Sequence, residues 1–279
     1  MLENYRHTLE VFGMAGKRCV VTGAAGLLGR VLTDALVRAG AFVELVDLDE
    51  AALDAVTNQL PVNVVTSFRC HHCDLRNEAE VIACFSRIAA SGQIHALINA
   101  AGIDHKVLQD TISTDDSSHF SSYNFGLWCS IISGNLNAMF LATREACRSM
   151  EPFSEGSIVN ICSTYALVGP NQRLYDEVFG ASKFLKSPAY ATAKAGALGF
   201  TRAIAAHYSD TRIRVNAISP GGILSNQSES FVRSYSSRTI MGRMAQATDL
   251  VGAVIYLCSD ASSYVTGSNL VVDGGWTAI

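Results

Sequence analysis

The sequence predicts an α/β fold, a doubly wound parallel sheet of about seven strands with helices on both faces. Two observations carry this expectation. Short, nearly continuous apolar runs recur along the chain, as strands covered on both faces require. Longer segments with helical spacing separate them, and that alternation implies right-handed crossovers between parallel strands.

The elements follow in order. Strand 18–22 runs into a glycine-bearing turn that opens helix 27–39, and strand 41–46 stops at Asp47 ahead of helix 50–60. Strand 64–73 stops at Asp74, before helix 77–90, and strand 95–99 leads into Asn-Ala-Ala-Gly. Helix 136–150 precedes strand 157–162, which stops at Ser163. Helix 191–208 precedes strand 212–218, and helix 248–258 precedes the last strand, 269–272. Segments 103–125, 164–188 and 221–246 resist the pattern and follow strands. Ligands of open α/β sheets bind beyond the carboxyl ends of the strands, so these three are expected to form a substrate-binding rim.

Composition bounds the function. The chain has 279 residues, 49% hydrophobic and 16% charged, enough for a sizeable core. One domain over 1–279 is expected, with an N-terminal extension at 1–15, since no linker or repeat divides the chain. The net charge is −4, with acids and bases interleaved, so nucleic acid is not an expected partner. No run approaches the length of apolar residues that a membrane span needs, and the first residues lack a secretory pattern. Eight cysteines lie mostly in apolar runs, which suits reduced thiols and a cytoplasmic location.

Thr22-Gly-Ala-Ala-Gly-Leu-Leu-Gly29 stands between a strand and a helix, where glycines permit a tight turn and close approach of a pyrophosphate. A ligand-free turn could carry the same glycines. Asp47 lies where a carboxylate can accept from a ribose 2′-hydroxyl. It would repel a 2′-phosphate by about 4 kcal/mol at 4 Å and intermediate dielectric. NAD is therefore expected over NADP. Asp47 could instead cap the next helix, a task open equally to Asp49, and Lys17 or Arg30 could reach a 2′-phosphate.

Tyr190 and Lys194 are spaced i, i+4 and share a helix face. A free phenol titrates at about 10, and an adjacent ammonium favours its phenolate. Phe179-Gly-Ala-Ser-Lys183 repeats the spacing without the phenol. Cys70-His-His-Cys73 lacks a second ligand pair and would split across two strand faces, so no metal is expected.

With TGAAGLLG, Asp74, NAAG at 99–102, the GNL around Asn135, ICS ending at Ser163, YATAK, NAISPGG and the tail from Ser259, the chain resembles the short-chain dehydrogenase/reductases, compact type. The resemblance spans about Gly16 to Thr277 and implies a three-layer Rossmann-type sheet. It implies Tyr190 as general acid/base, Lys194 as its tuner, Ser163 orienting the substrate oxygen, and Asn135 holding a relay water. For the cofactor it implies Gly23, Gly26, Leu28, Gly29, Asp47, Leu48, Asp74, Leu75, Asn99, Ala100, Ala101, Gly102, Tyr190, Lys194, Pro220, Gly221 and Ile223. It also implies a homodimer or homotetramer.

Two features depart from the family pattern. The glycines read TGxxGxxG where the compact type usually has TGxxxGxG. Ser163 and Tyr190 are also separated by an inserted segment, GPNQRLYDEVFGASKFLKSP, expected to bulge over the substrate cleft. PNQRLY and the later SPGGILSNQ resemble a sub-branch associated with bacterial flagellin and surface-sugar modification, which implies a sugar derivative. Arg173, Asn226, Gln227 and Arg233, with Ser163, would suit a polyhydroxylated or anionic substrate. The expected function is an NAD(H)-dependent alcohol–carbonyl oxidoreductase. An NADPH-dependent 3-oxoacyl-carrier-protein reductase and a non-catalytic dinucleotide sensor are the alternatives.

Overall fold

The computed structural model describes residues 10–59, 67–103, 119–179 and 186–279. Their seven strands form one parallel sheet in the order β3-β2-β1-β4-β5-β6-β7. These are β1 Arg18–Thr22, β2 Phe42–Asp47, β3 Phe68–His72, β4 Ala96–Asn99, β5 Glu155–Ile161, β6 Arg212–Pro220 and β7 Asn269–Val272. The order reverses between β1 and β4, and the crevice at such a switch point is where ligands enter a doubly wound sheet.

Strand alternation sends successive side chains to opposite faces. Cys19 and Val21 enter a core shared with helices α1 (Leu27–Arg38) and α9 (Val251–Cys258). Val20 enters the opposite core, with α3 (Glu78–Ala89) and α5 (Ala138–Met150). Between these lie α2 (Glu50–Thr57) and α4 (Phe125–Ile132), and α6 (Gln172–Phe179), α7 (Pro188–His207) and α8 (Glu229–Ser236) follow α5. Local chemistry sets several starts. Asp49 accepts from Ala52 N–H at 2.9 Å and caps α2. Asn77 caps α3, and Ser187 caps α7 by accepting from Tyr190 N–H.

Three sequence expectations need correction. Segment 164–188 is not wholly irregular, because it contains α6, and 221–246 contains α8. The two helices pack Leu174 and Tyr175 against Phe231 and Tyr235, a small satellite core that the sheet-based pattern does not reveal. The stretch Phe125–Phe153 is long and apolar enough, by length and composition, to cross a membrane. A π turn at Ser133–Asn137 joins α4 to α5, so the run is longer than either helix alone. The α5 side chains Ala138, Leu141, Ala142, Ala146 and Met150 are buried against the sheet and α3, which marks a core helix of a folded domain. Parts of the expected strand 64–73 and of the loops 103–125 and 164–188, with Lys183, fall outside the described residues.

Candidate active site

Two joined clefts open at the carboxyl ends of β1, β4, β5 and β6. The larger, about 670 Å³, is lined by the glycine turn, Asp47, Leu48, Asp74, Leu75, Ala100, Ala101 and Gly102. The smaller, about 380 Å³, is lined by Ser163, Tyr190, Lys194, Asn135, Pro220, Gly221 and Ile223. Leu28, Ala100, Gly102 and Ile223 line both.

The turn is shaped for backbone approach. Gly23 has φ +65°, and a Cβ there would lie 2.7 Å from the Ala101 Cα. A Cβ on Gly29 would lie 2.1 Å from the Gly23 carbonyl oxygen, which couples turn and helix directly. Gly26 is the N-cap of α1 and its N–H donates to Gly23 O. The early glycine of the TGxxGxxG spacing therefore starts the helix, and Leu27, 47% exposed, lines both clefts.

Asp47 Oδ2 accepts from Ala25 N–H at 2.8 Å, which ties the carboxylate to the turn. Asp49, not Asp47, caps α2. Lys17 lies at the other end of β1, paired with Asp260 at 2.6 Å, too far along the strand to serve this cleft. Arg30 lines it, but its Nε donates to Ala25 O at 2.8 Å. Asp74 is forked by Arg76, whose guanidinium holds the carboxyl below the usual carboxylate range.

Asn99 departs from expectation. Its side chain is 1% exposed and donates to Thr143 Oγ1 and Asn160 Oδ1, bracing β4 against β5 and α5 rather than lining either cleft. Asn135 lies in the π turn and donates to Ile103 O and Ile131 O. Its Oδ1 is buried without a hydrogen-bond partner. A Cβ on Gly102 would sit 2.7 Å from that oxygen and 3.4 Å from Lys194 Nζ, so glycine leaves open the space between them. Lys194, 5% exposed, donates to Ile161 O at 2.9 Å and lies 5.6 Å from the centre of the Tyr190 ring. Ser163 Oγ accepts from Tyr165 N–H, which leaves its own proton available to a substrate.

Of the expected substrate residues, Gln227 lines the smaller cleft, with its amide held by Ser225 N–H and Ile223 O. Arg173 and Asn226 are exposed and outside it. Arg233 also points away and pairs with Glu229. The wall is aromatic instead. Tyr165 and Tyr175 share a hydroxyl contact of 2.7 Å. Tyr235 stacks on Trp276 at 4.2 Å and accepts from Gly222 N–H, and burial pushes its phenol up to about 12. Lys186, which none of the sequence motifs singles out, also lines this cleft. The signal lay in Lys-Ser-Pro at 186–188, where Ser187 and Pro188 start α7 and fix the preceding residue one turn from Tyr190. His71 of the Cys70–Cys73 segment binds Glu44 at 2.7 Å, and among the described residues no three His, Cys, Asp or Glu side chains are grouped to hold a metal.

Comparison with known proteins agrees with this geometry. The profile described as enoyl-(acyl carrier protein) reductase matches residues 23–277. Galactitol 2-dehydrogenase (L-tagatose-forming) of Cereibacter sphaeroides is 29% identical, covering 96% of this chain and 97% of the relative. Cyclopentanol dehydrogenase of Comamonas testosteroni is 33% identical over 94% and 97%. A short-chain dehydrogenase of Leptospira borgpetersenii with bound NAD+ superposes with TM-score 0.80 at 30% identity, over 96% and 95% of the chains. A gluconate 5-dehydrogenase candidate of Beutenbergia cavernae with bound NADP gives 0.80 at 27%, over 96% and 99%. The chain belongs to the short-chain dehydrogenase/reductase family. It is an oxidoreductase acting on CH–OH groups with a nicotinamide dinucleotide.

Proposed function

We propose that this protein is an NAD(H)-dependent dehydrogenase interconverting an alcohol and a ketone on a sugar derivative, acting in the cytoplasm as a homo-oligomer. The observation that carries the reading is the convergence of Ser163, Tyr190, Lys194 and Asn135 on one cleft that opens into the glycine-turn cleft. The dinucleotide fits these residues: Gly23 and Gly29 leave the backbone bare, and Gly102 leaves room between Asn135 Oδ1 and Lys194. Gly23, Gly26, Leu28, Gly29 and Asp47 would hold the phosphates and ribose, Leu48, Asp74 and Leu75 the adenine side, and Pro220, Gly221 and Ile223 the nicotinamide side. Bound there, a nicotinamide dinucleotide would supply the hydride acceptor or donor for the substrate carbon.

In the oxidising direction Tyr190 takes the hydroxyl proton. Lys194, fixed by Ile161 O, favours the phenolate that does so. Ser163 donates to the substrate oxygen and holds it against Tyr190. Asn135 Oδ1, with both amide protons spent on backbone carbonyls, is an acceptor for a relay water beside Lys194. NAD is favoured because Asp47 faces the cleft while Arg30 and Arg76 are bound to Ala25 O and Asp74. Sugar-type substrates are supported by galactitol and gluconate among the relatives' activities. Exposed Phe140, Tyr264, Val271 and Ile279 would suit self-association.

The test is dinucleotide reduction with a panel of polyols and sugar acids, using NAD+ and NADP+. Turnover with NAD+ preferred at least tenfold, and a lost preference in Asp47→Ala, is the expected result. NADP+ preference in the native protein, or dinucleotide binding with no turnover of any member, overturns the reading.

A further inference from the structure

Tyr235 joins three parts of the chain. Its hydroxyl oxygen accepts from Gly222 N–H and hydrogen-bonds the side chain of Thr164, the residue after Ser163. Its ring stacks on Trp276, with centroids 4.2 Å apart and planes 14° from parallel. Burial pushes the phenol up to about 12, so it stays protonated near pH 7. Its oxygen therefore serves as an acceptor for the backbone, not as a second base beside Tyr190.

Gly222 borders open space twice. It lines the smaller cleft and also a separate cavity of about 240 Å³ that reaches Ala245, Asp273 and Gly274. Close packing cannot fix a peptide that adjoins two voids, so its hydrogen bonds must. Tyr235 takes its N–H, and Ala245 N–H donates to its carbonyl at 3.0 Å. A Cβ on Gly222 would lie 2.6 Å from Tyr235 Cζ, so the ring rests directly on the backbone. The brace behind that ring is itself built. The Asp273 carboxylate closes the turn 273–277 by accepting from Gly275 N–H at 2.8 Å, Thr277 N–H at 2.9 Å and Thr277 Oγ1 at 2.6 Å. That turn carries Trp276, which stacks on Tyr235.

Resting on the nicotinamide placement in the dehydrogenase reading above, we infer that Tyr235 is a positioning residue which, braced by Trp276, fixes the Gly222 peptide and with it the Pro220–Ile223 wall on the nicotinamide side. Without the Tyr235 hydroxyl, Gly222 N–H loses its acceptor and the wall shifts toward another. A small displacement beside reacting atoms costs rate, while the adenosine end of the ligand, held by other residues, is untouched.

The experiment uses the full chain and Tyr235→Phe, which keeps the ring and removes only the hydroxyl. Binding of NADH, followed by reduced-nicotinamide emission, is compared with binding of ADP-ribose, which lacks the nicotinamide. Turnover of the best substrate of the panel is measured beside them. In the native protein NADH binds more tightly than ADP-ribose. Tyr235→Phe weakens NADH about tenfold, the scale of one hydrogen bond, and changes its emission. It lowers kcat by at least as much, while ADP-ribose affinity, substrate KM and melting temperature stay near native. Trp276→Ala reproduces the pattern, and Trp276→Phe, which can still stack, keeps native values. Three results overturn the inference: NADH no tighter than ADP-ribose in the native protein, NADH and ADP-ribose weakened equally or not at all in Tyr235→Phe, or a raised substrate KM with native kcat. An NADH-selective loss in a protein that turns over no compound leaves Tyr235 as a positioning residue and overturns the dehydrogenase reading instead.

Discussion

Gly29 shows how much of this site is set by missing atoms. A methyl there meets the Gly23 carbonyl oxygen at 2.1 Å and the Ala24 Cα at 2.6 Å, both backbone and unable to swing away. Gly29→Ala should therefore weaken dinucleotide binding at least tenfold and lower thermal stability, read by fluorescence titration and melting. Unchanged affinity would mean that the turn is not the phosphate cradle. At this scale the sequence is readable wherever spacing alone fixes geometry. Tyr190 and Lys194 are one helical turn apart in any α-helix, so their meeting could be anticipated. Asn99 could not be resolved that way, since only the packed sheet shows its amide spent on Thr143 and Asn160. Lys186 also escaped, because its place depends on the clamp from Gln172 on a helix that the insertion hides.

Among the elements, strands β1 and β7 were legible to the residue and the longer helices within a few positions. Their apolar faces pack on the central sheet, which imposes a strong period. Helices α6 and α8 were not legible, because their apolar residues satisfy each other in a separate cluster. The short helix α2 depends on its cap. Asp49 accepts from Ala52 N–H, and Glu50 adds negative charge to the first turn. Asp49→Ala should cost about 1 kcal/mol of stability, measured by chemical denaturation. The same change should leave Asp47 joined to Ala25 N–H and the NAD preference intact, whereas a loss of that preference would reassign the ribose contact.

Across the whole molecule, one buried charge ties the sheet edge together. Glu44 on β2 is fully buried and pairs with Arg18 on β1 and His71 on β3. Burial pushes its carboxyl up, but the hydrogen bonds and charges of His71 and Arg18 outweigh this and hold it below the ordinary range. Such a group stabilises the fold fully above its unfolded pKa, and the contribution is lost as pH falls through the lowered folded value. Arg18→Met should cost about 2–3 kcal/mol near neutrality by removing one charged hydrogen bond from that carboxylate while His71 remains. The stability gap between native and Glu44→Gln proteins should narrow as pH falls below the carboxylate range, and a constant gap in denaturation midpoints would contradict the pairing. These strands hold the crevice in which the chemistry is placed, and that chemistry turns on the phenol of Tyr190. The most direct measurement is the turnover of Tyr190→Phe on the best substrate of the panel, with dinucleotide affinity measured in parallel. With Tyr190 as the acid/base, affinity stays native and kcat falls by about 10²–10⁴-fold. Native turnover in the Phe variant would contradict it.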